Sequence, residues 1–117
     1  MKAPKESDLY RPILDLLALR GVKAWRTNTG GARYPGRNGS TYYVKFGFPG
    51  LSDIAGVLPL APTWQAGRAL FCEVKMGRGK LTLEQAAFLA DMERQGALCI
   101  VARSIGDVAS ALDAEGY

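Results

Sequence analysis

The chain has 117 residues, 15 of them Lys or Arg against 11 Asp or Glu, for a net charge of +4, and it contains no histidine. That length supports one domain, 1–117, with a modest core, and an apolar content of 48% is ordinary for a soluble globular protein. The absence of histidine excludes Ser–His and Cys–His nucleophile pairs, histidine-built zinc sites and hydrolysis run by a histidine base. It leaves carboxylates, lysines, tyrosines and metal-bound water as the acid–base groups.

Leu9, Ile13, Leu16 and Leu17 form a helical stripe that starts near Glu6 or Ser7 and stops at Gly21. Ser7 is the candidate N-cap. Pro12 is awkward there, because it deletes one backbone bond if it lies past the first turn. Val22-Lys23-Ala24-Trp25-Arg26 alternates like a strand, and residues 28–40 read as a glycine-rich loop carrying Arg33 and Arg37. Thr41-Tyr42-Tyr43-Val44-Lys45-Phe46 has strand composition. Gly47-Phe48-Pro49-Gly50-Leu51-Ser52 is a tight connection into a strand that begins at Asp53. A second loop, 59–67, contains Pro62 and Trp64 and leads to the strand Ala69-Leu70-Phe71-Cys72-Glu73-Val74-Lys75. Gly77-Arg78-Gly79-Lys80 is a basic turn. Thr82-Leu83-Glu84-Gln85 has capping-box form and opens a helix that runs to Gly96. Leu98-Cys99-Ile100-Val101-Ala102 reads as a strand covered on both faces, and Ser104 to Asp107 repeats the capping spacing before a last helix. The expected order is α-β-β-β-β-α-β-α, a mixed central sheet flanked by helices. Cys72 and Cys99 both fall in apolar runs and read as reduced core residues of a cytoplasmic protein. No apolar run approaches a membrane span and no signal peptide opens the chain.

Three charges stand in or beside these apolar strands: Asp53, Glu73 and Lys75. Ionised groups are almost never buried unless they are paired or hold a metal. Glu73 and Lys75, two apart, share one face of their strand, and Asp53 meets them if the two strands are neighbours. Two carboxylates and an amine at one point suit a hard divalent cation beside an activated water.

Asp53 followed by Glu73-x-Lys75 resembles the PD-(D/E)xK nuclease signature. More specifically, the chain resembles the stand-alone VRR-NUC domain, a virus-type replication-repair nuclease. The matching pieces are Glu6, Arg26-Thr27-Asn28-Thr29-Gly30, Gly47-Phe48-Pro49-Gly50-Leu51-Ser52-Asp53-Ile54, Phe71-Cys72-Glu73-Val74-Lys75, Gly79-Lys80-Leu81-Thr82-Leu83-Glu84-Gln85 and Gly96-Ala97. The chain departs from the family at Tyr10, where glutamine is usual, at Ser52, where proline is common, and at Pro12.

The resemblance implies a restriction-endonuclease-like core and a metal-dependent DNA endonuclease that hydrolyses phosphodiesters. Asp53, Glu73, the Val74 carbonyl and Glu6 would hold Mg2+ or Mn2+, with Asp8 competing for the role of Glu6. Lys75 would orient or deprotonate the attacking water. Gln85 would bond near Lys75 or the phosphate, unless it serves only as capping partner of Thr82. Arg26, Arg33, Arg37, Lys45, Arg78 and Lys80 flank the site in sequence and suit a phosphate backbone. Tyr42, Tyr43 and Phe46 either stack on a splayed base or pack a sheet or a subunit interface. Stand-alone members resemble Holliday-junction resolvases, which implies a homodimer acting on branched DNA, with no membrane and no organic cofactor, in the host cytoplasm if the gene is a phage's. The alternatives are a non-catalytic nucleic-acid-binding module and a structural subunit of a phage replication or repair complex.

Overall fold

The structure is a computed structural model that describes residues 3–27, 30–62 and 65–117; Asn28, Thr29 and Trp64 lie outside the described residues. It is an α/β fold with a mixed sheet flanked by helices.

The first helix, α1 (Ser7–Leu19), buries Ile13 and Leu17, which stand one turn apart on its apolar stripe. Ser7 is not its cap. Glu6 occupies that position without a side-chain bond, and the Asp8 carboxylate accepts the Lys5 N–H at 2.8 Å. Pro12 lies beyond the first turn, yet α1 continues as one element. Gly21, at φ +77°, ends it in the left-handed conformation that glycine adopts without strain.

The central sheet has the order β1-β4-β5-β6, formed by β1 (Lys23–Arg26), β4 (Ile54–Leu58), β5 (Arg68–Val74) and β6 (Leu98–Ala102). β1 pairs antiparallel with β4, β4 antiparallel with β5, and β5 parallel with β6. β5 is therefore an internal strand. On one face Ile54, Leu58, Leu70, Cys72, Val74, Ile100 and Ala102 pack against α1 and against α3 (Ile105–Ala114), which contributes Val108 and Leu112. Burying each such aliphatic side chain is worth roughly 1.5–3 kcal/mol. The opposite face of β5 is covered by α2 (Leu83–Arg94), where the Phe88 ring meets Phe71 edge-on at 5.1 Å and Phe48 at 5.4 Å.

β6 departs from expectation, because its cover is unequal. Leu98, Ile100 and Ala102 are buried toward α1 and α3, whereas Val101 on the α2 face is exposed. Both cysteines are free, Cys72 buried and Cys99 half-buried. Among the described residues no helix is long and apolar enough to cross a membrane.

Residues 28–40 are not simply a loop. The chain enters a further strand, β2 (Gly31–Pro35), which pairs antiparallel with β3 (Thr41–Lys45) as a separate two-stranded ribbon. The order is thus α-β-β-β-β-β-α-β-α, one strand more than the sequence pattern gives. The glycines and Pro35 hid a five-residue strand whose pairing comes from opposed residues: Ala32 with Val44, Arg33 with Tyr43, Tyr34 with Tyr42. Asn38 (φ +56°) and Gly39 (φ +72°) turn the ribbon at its tip. The ribbon stretches the molecule to 59 × 40 × 27 Å, with a radius of gyration of 16.4 Å; a compact chain of this length has about 13 Å.

Gly50 (φ +93°) brings the connection before β4 against the first turn of α2, where an added Cβ would collide with the Glu84 carbonyl. Gly50→Ala is expected to lower the unfolding free energy by at least about 1–3 kcal/mol through backbone strain, measured by urea denaturation.

Candidate active site

Asp53 immediately precedes β4, and Glu73 and Lys75 lie at the end of β5 and one residue past it. Extending the β4–β5 register by one rung from Ile54↔Cys72 sets Asp53 opposite Glu73. Directly opposed residues of an antiparallel pair carry their side chains to the same face. The two carboxyl groups lie close enough for the Asp53 charge to act on Glu73, and Lys75 Nζ stands 3.8 Å from Glu73 Oε1. The convergence expected from the sequence spacing is thus present. The alternative of a solvated polar face is not: Glu73 is only 2% exposed and Lys75 9%.

Each member has further partners. The Val74 N–H donates to Asp53 Oδ2 at 2.8 Å. In a strand the N–H and C=O of one residue leave toward the same neighbour, so the Val74 carbonyl is on the Asp53 side. Gln85 Nε2 donates to Glu73 Oε1 at 2.9 Å, while Gln85 Oε1 accepts the Thr82 N–H at 2.9 Å. The Gln85 backbone N–H in turn donates to Thr82 Oγ1. The two roles considered for Gln85 do not compete, because opposite ends of one amide perform them.

Tyr10 is the residue whose role the sequence did not reveal. Its hydroxyl donates to Asp53 Oδ1 at 3.4 Å, and the Arg26 guanidinium carbon lies 3.5 Å above its ring centre. Burial, and then the nearby Asp53 charge, raise the Tyr10 pKa above its ordinary value. A signal was available: Tyr10 follows Glu6 by four residues, one turn on along the same helix. Thr27 also joins the site. It donates its N–H to the Asp53 carbonyl at 3.0 Å and its hydroxyl to the Ser52 carbonyl. Ser52 is fully buried and donates its hydroxyl to the Ile54 carbonyl at 3.0 Å.

Glu6 is close enough for its charge to act on both Glu73 and Tyr10. Among the described residues, however, no three His, Cys, Asp or Glu side chains gather into a metal-holding group, so Glu6 is not brought into one cluster with Asp53 and Glu73. Asp8 is exposed and engaged with Lys5 at the start of α1. The basic residues divide by position. Arg26 stacks beside Asp53, Arg78 and Lys80 are exposed on the turn after Lys75, and Arg33, Arg37 and Lys45 are carried on the β2–β3 ribbon. Arg103 donates to the Gly77 carbonyl at 2.9 Å and pins the turn bearing Arg78, a contact invisible in sequence. Tyr42 and Tyr43 are exposed on the ribbon and pack no central sheet.

The electrostatics are those of a crowded acid pair. Burial, followed by the Asp53 charge, pushes the Glu73 pKa far above the ordinary carboxylate range, and Lys75 only partly offsets this. Burial and then Asp53 and Glu73 push the Cys72 thiol up to about 12, which removes it as a nucleophile at neutral pH. Glu73 Oε2 is buried with no hydrogen-bond partner. A buried, unpartnered carboxylate oxygen beside a second carboxylate is costly without a cation.

The donor set therefore fits a hard divalent ion: carboxylate oxygens of Asp53 and Glu73, with the Val74 carbonyl alongside. Comparisons with protein-family models, curated proteins and solved structures find no match to this chain.

The raised Glu73 pKa carries a sign. The folded state holds this proton more tightly than the unfolded chain does, so its contribution is full below the ordinary carboxylate pKa and is lost as pH rises through the raised value. Without divalent ions, stability is expected to fall from mildly acidic to mildly alkaline pH, and Glu73→Gln is expected to flatten that slope. Chemical denaturation across the pH range in EDTA measures both.

Proposed function

We propose that the protein is a Mg2+- or Mn2+-dependent endonuclease of the PD-(D/E)xK kind, similar to VRR-NUC domains, with a restriction-endonuclease-like core. The observation that carries this reading is buried Glu73 facing half-buried Asp53, with Lys75 beside it and one Glu73 oxygen left without a partner.

Asp53, Glu73 and the Val74 carbonyl would hold the ion. Its chemistry when bound is to neutralise phosphate charge and make a water more nucleophilic. The chain's own residues do the positioning. The Val74 N–H and the Tyr10 hydroxyl fix the two Asp53 oxygens, and Gln85 fixes Glu73 Oε1. Lys75 stands beside Glu73, where its amine would orient the attacking water and offset charge as the water oxygen bonds to phosphorus, its proton passing to solvent, and the P–O bond to the leaving sugar breaks, that oxygen taking a proton from solvent. Glu6 stands near enough for its charge to act on Glu73 and Tyr10, and would add negative charge around a bound cation. Arg26, over the Tyr10 ring, and Arg78 and Lys80, exposed on the turn after Lys75, would hold the phosphate backbone.

The substrate is DNA, with branched structures such as Holliday junctions preferred, and the unit is a homodimer in the cytoplasm. Self-association is supported by the edge strand β1 and the face of β1 and β4 that α2 does not reach, where Trp25 is 52% and Val57 47% exposed.

A panel of labelled junction, flap, single-stranded and duplex DNA tests the chemistry. Wild type is expected to cut in Mn2+. Lys75→Ala and Glu73→Gln are expected to lower the rate by about 10²-fold or more, the scale of losing a preorganised electrostatic group, while both still bind DNA. Binding without cutting by wild type and variants alike would replace this reading with that of a non-catalytic module. Sedimentation is expected to give twice the monomer mass at micromolar concentration, and Trp25→Glu to give the monomer.

A further inference from the structure

The β2–β3 ribbon has no evident role in the fold. A two-stranded ribbon alone is marginal in water, and here only Ala32, Val44 and the adjoining Phe46 are even half-buried. Its two faces differ. Ala32, Tyr34, Tyr42 and Val44 share one face, where the two tyrosine rings pack at 5.8 Å. Arg33, Tyr43 and Lys45 share the other, with the Arg33 guanidinium 5.9 Å from the Tyr43 ring centre. Gly31 leaves space on that face, where an added Cβ would collide with the Tyr43 ring. Arg37 stands at the tip.

Charge narrows the partner. From residue 16 to residue 52 the chain has no carboxylate, and it carries Arg20, Lys23, Arg26, Arg33, Arg37 and Lys45. Three of these cations are on the ribbon, exposed and unopposed by any acid of the ribbon itself. The tyrosines already pack against each other or against Arg33, so the free chemistry of the ribbon is cationic rather than stacking.

Position completes the case. In sequence the ribbon lies between Thr27, which bonds the Asp53 carbonyl, and the connection from Phe46 that ends at Asp53. At its base the Phe46 N–H donates to the Gly30 carbonyl at 2.8 Å.

We propose that the β2–β3 ribbon is an arm that grips duplex nucleic acid beside the scissile phosphate, with Arg33, Arg37 and Lys45 on the backbone phosphates. A strand of five residues spans about 17 Å, and a two-stranded ribbon fits the roughly 12 Å major groove of B-form DNA. The proposal rests on the nucleic-acid reading of the neighbouring site and adds to it the duplex flank as a recognition element.

The test uses the full chain in EDTA, so that nothing is cut, with a labelled DNA duplex as probe. One variant is Arg33→Ala/Arg37→Ala/Lys45→Ala. A second replaces residues 31–45 by an Asn-Gly turn closing the Gly30–Phe46 rung. Affinity is read by fluorescence anisotropy against NaCl concentration. Both variants are expected to bind about tenfold or more weaker at 0.1 M salt. The slope of log affinity on log salt is expected to be shallower by about 2 to 3, at about 0.9 per phosphate contact. The thermal shift produced by Mn2+ is expected to stay as in wild type. Unchanged affinity and slope in the triple variant overturn the proposal. So does loss of self-association in the Asn-Gly variant with the triple variant binding DNA as wild type does, which would make the arm a subunit contact. If wild type does not cut DNA but binding remains arm-dependent, the arm stands and the nuclease reading falls. If wild type cuts and both variants keep its KM, the arm falls and the nuclease reading stands.

Discussion

Two carboxylates share a place where water is scarce, and much of the local structure answers that repulsion. Asp53 and Glu73 face each other across the last rung of an antiparallel pair, at the end of an internal strand. Separated by solvent they would ignore each other; here burial and proximity raise the cost of charging both. The surroundings respond group by group. A backbone N–H, a phenol and an amide each take one carboxylate oxygen, an amine stands within ion-pair distance, and a fourth oxygen has no partner. A site selected for stability alone would place apolar side chains there.

The scaffold holds this arrangement from both sides of the sheet. On one side α1 and α3 pack the aliphatic core, and α1 brings Tyr10 to Asp53. On the other, Phe88 wedges between Phe48 and Phe71 and presses α2 onto β5, which sets Gln85 over Glu73. Gly50 permits the close approach between the connection and α2. The site is therefore built from the ends of three strands and the first turns of two helices.

Much of this was legible in the residues, for physical reasons. Charges inside apolar runs marked Asp53, Glu73 and Lys75, because the cost of burying an ion is large enough to make such placements rare. Thr82-x-x-Gln85 gave the start of α2 correctly, since capping is a local event three residues long. What stayed hidden was non-local. Tyr10 meets Asp53 across 43 positions of sequence, and Arg103 meets Gly77 across 26. The strand β2 was masked by its own glycines and proline, because pairing with β3, not intrinsic propensity, makes it a strand. Ser7 failed as a cap because the helix begins one residue earlier, with Glu6 at the cap position and Ser7 already its first helical residue.

The rung between Gly30 and Phe46 has an evolutionary consequence. The ribbon is a detour whose two ends are joined where Phe46 bonds Gly30, so its length and composition can drift without transmitting strain to the sheet that holds the acids. Descendants of this gene could lengthen, shed or recharge the detour and so exchange targets while inheriting the same chemistry. Divergence in such a lineage should be fastest between positions 31 and 45 and slowest at its anchoring rung.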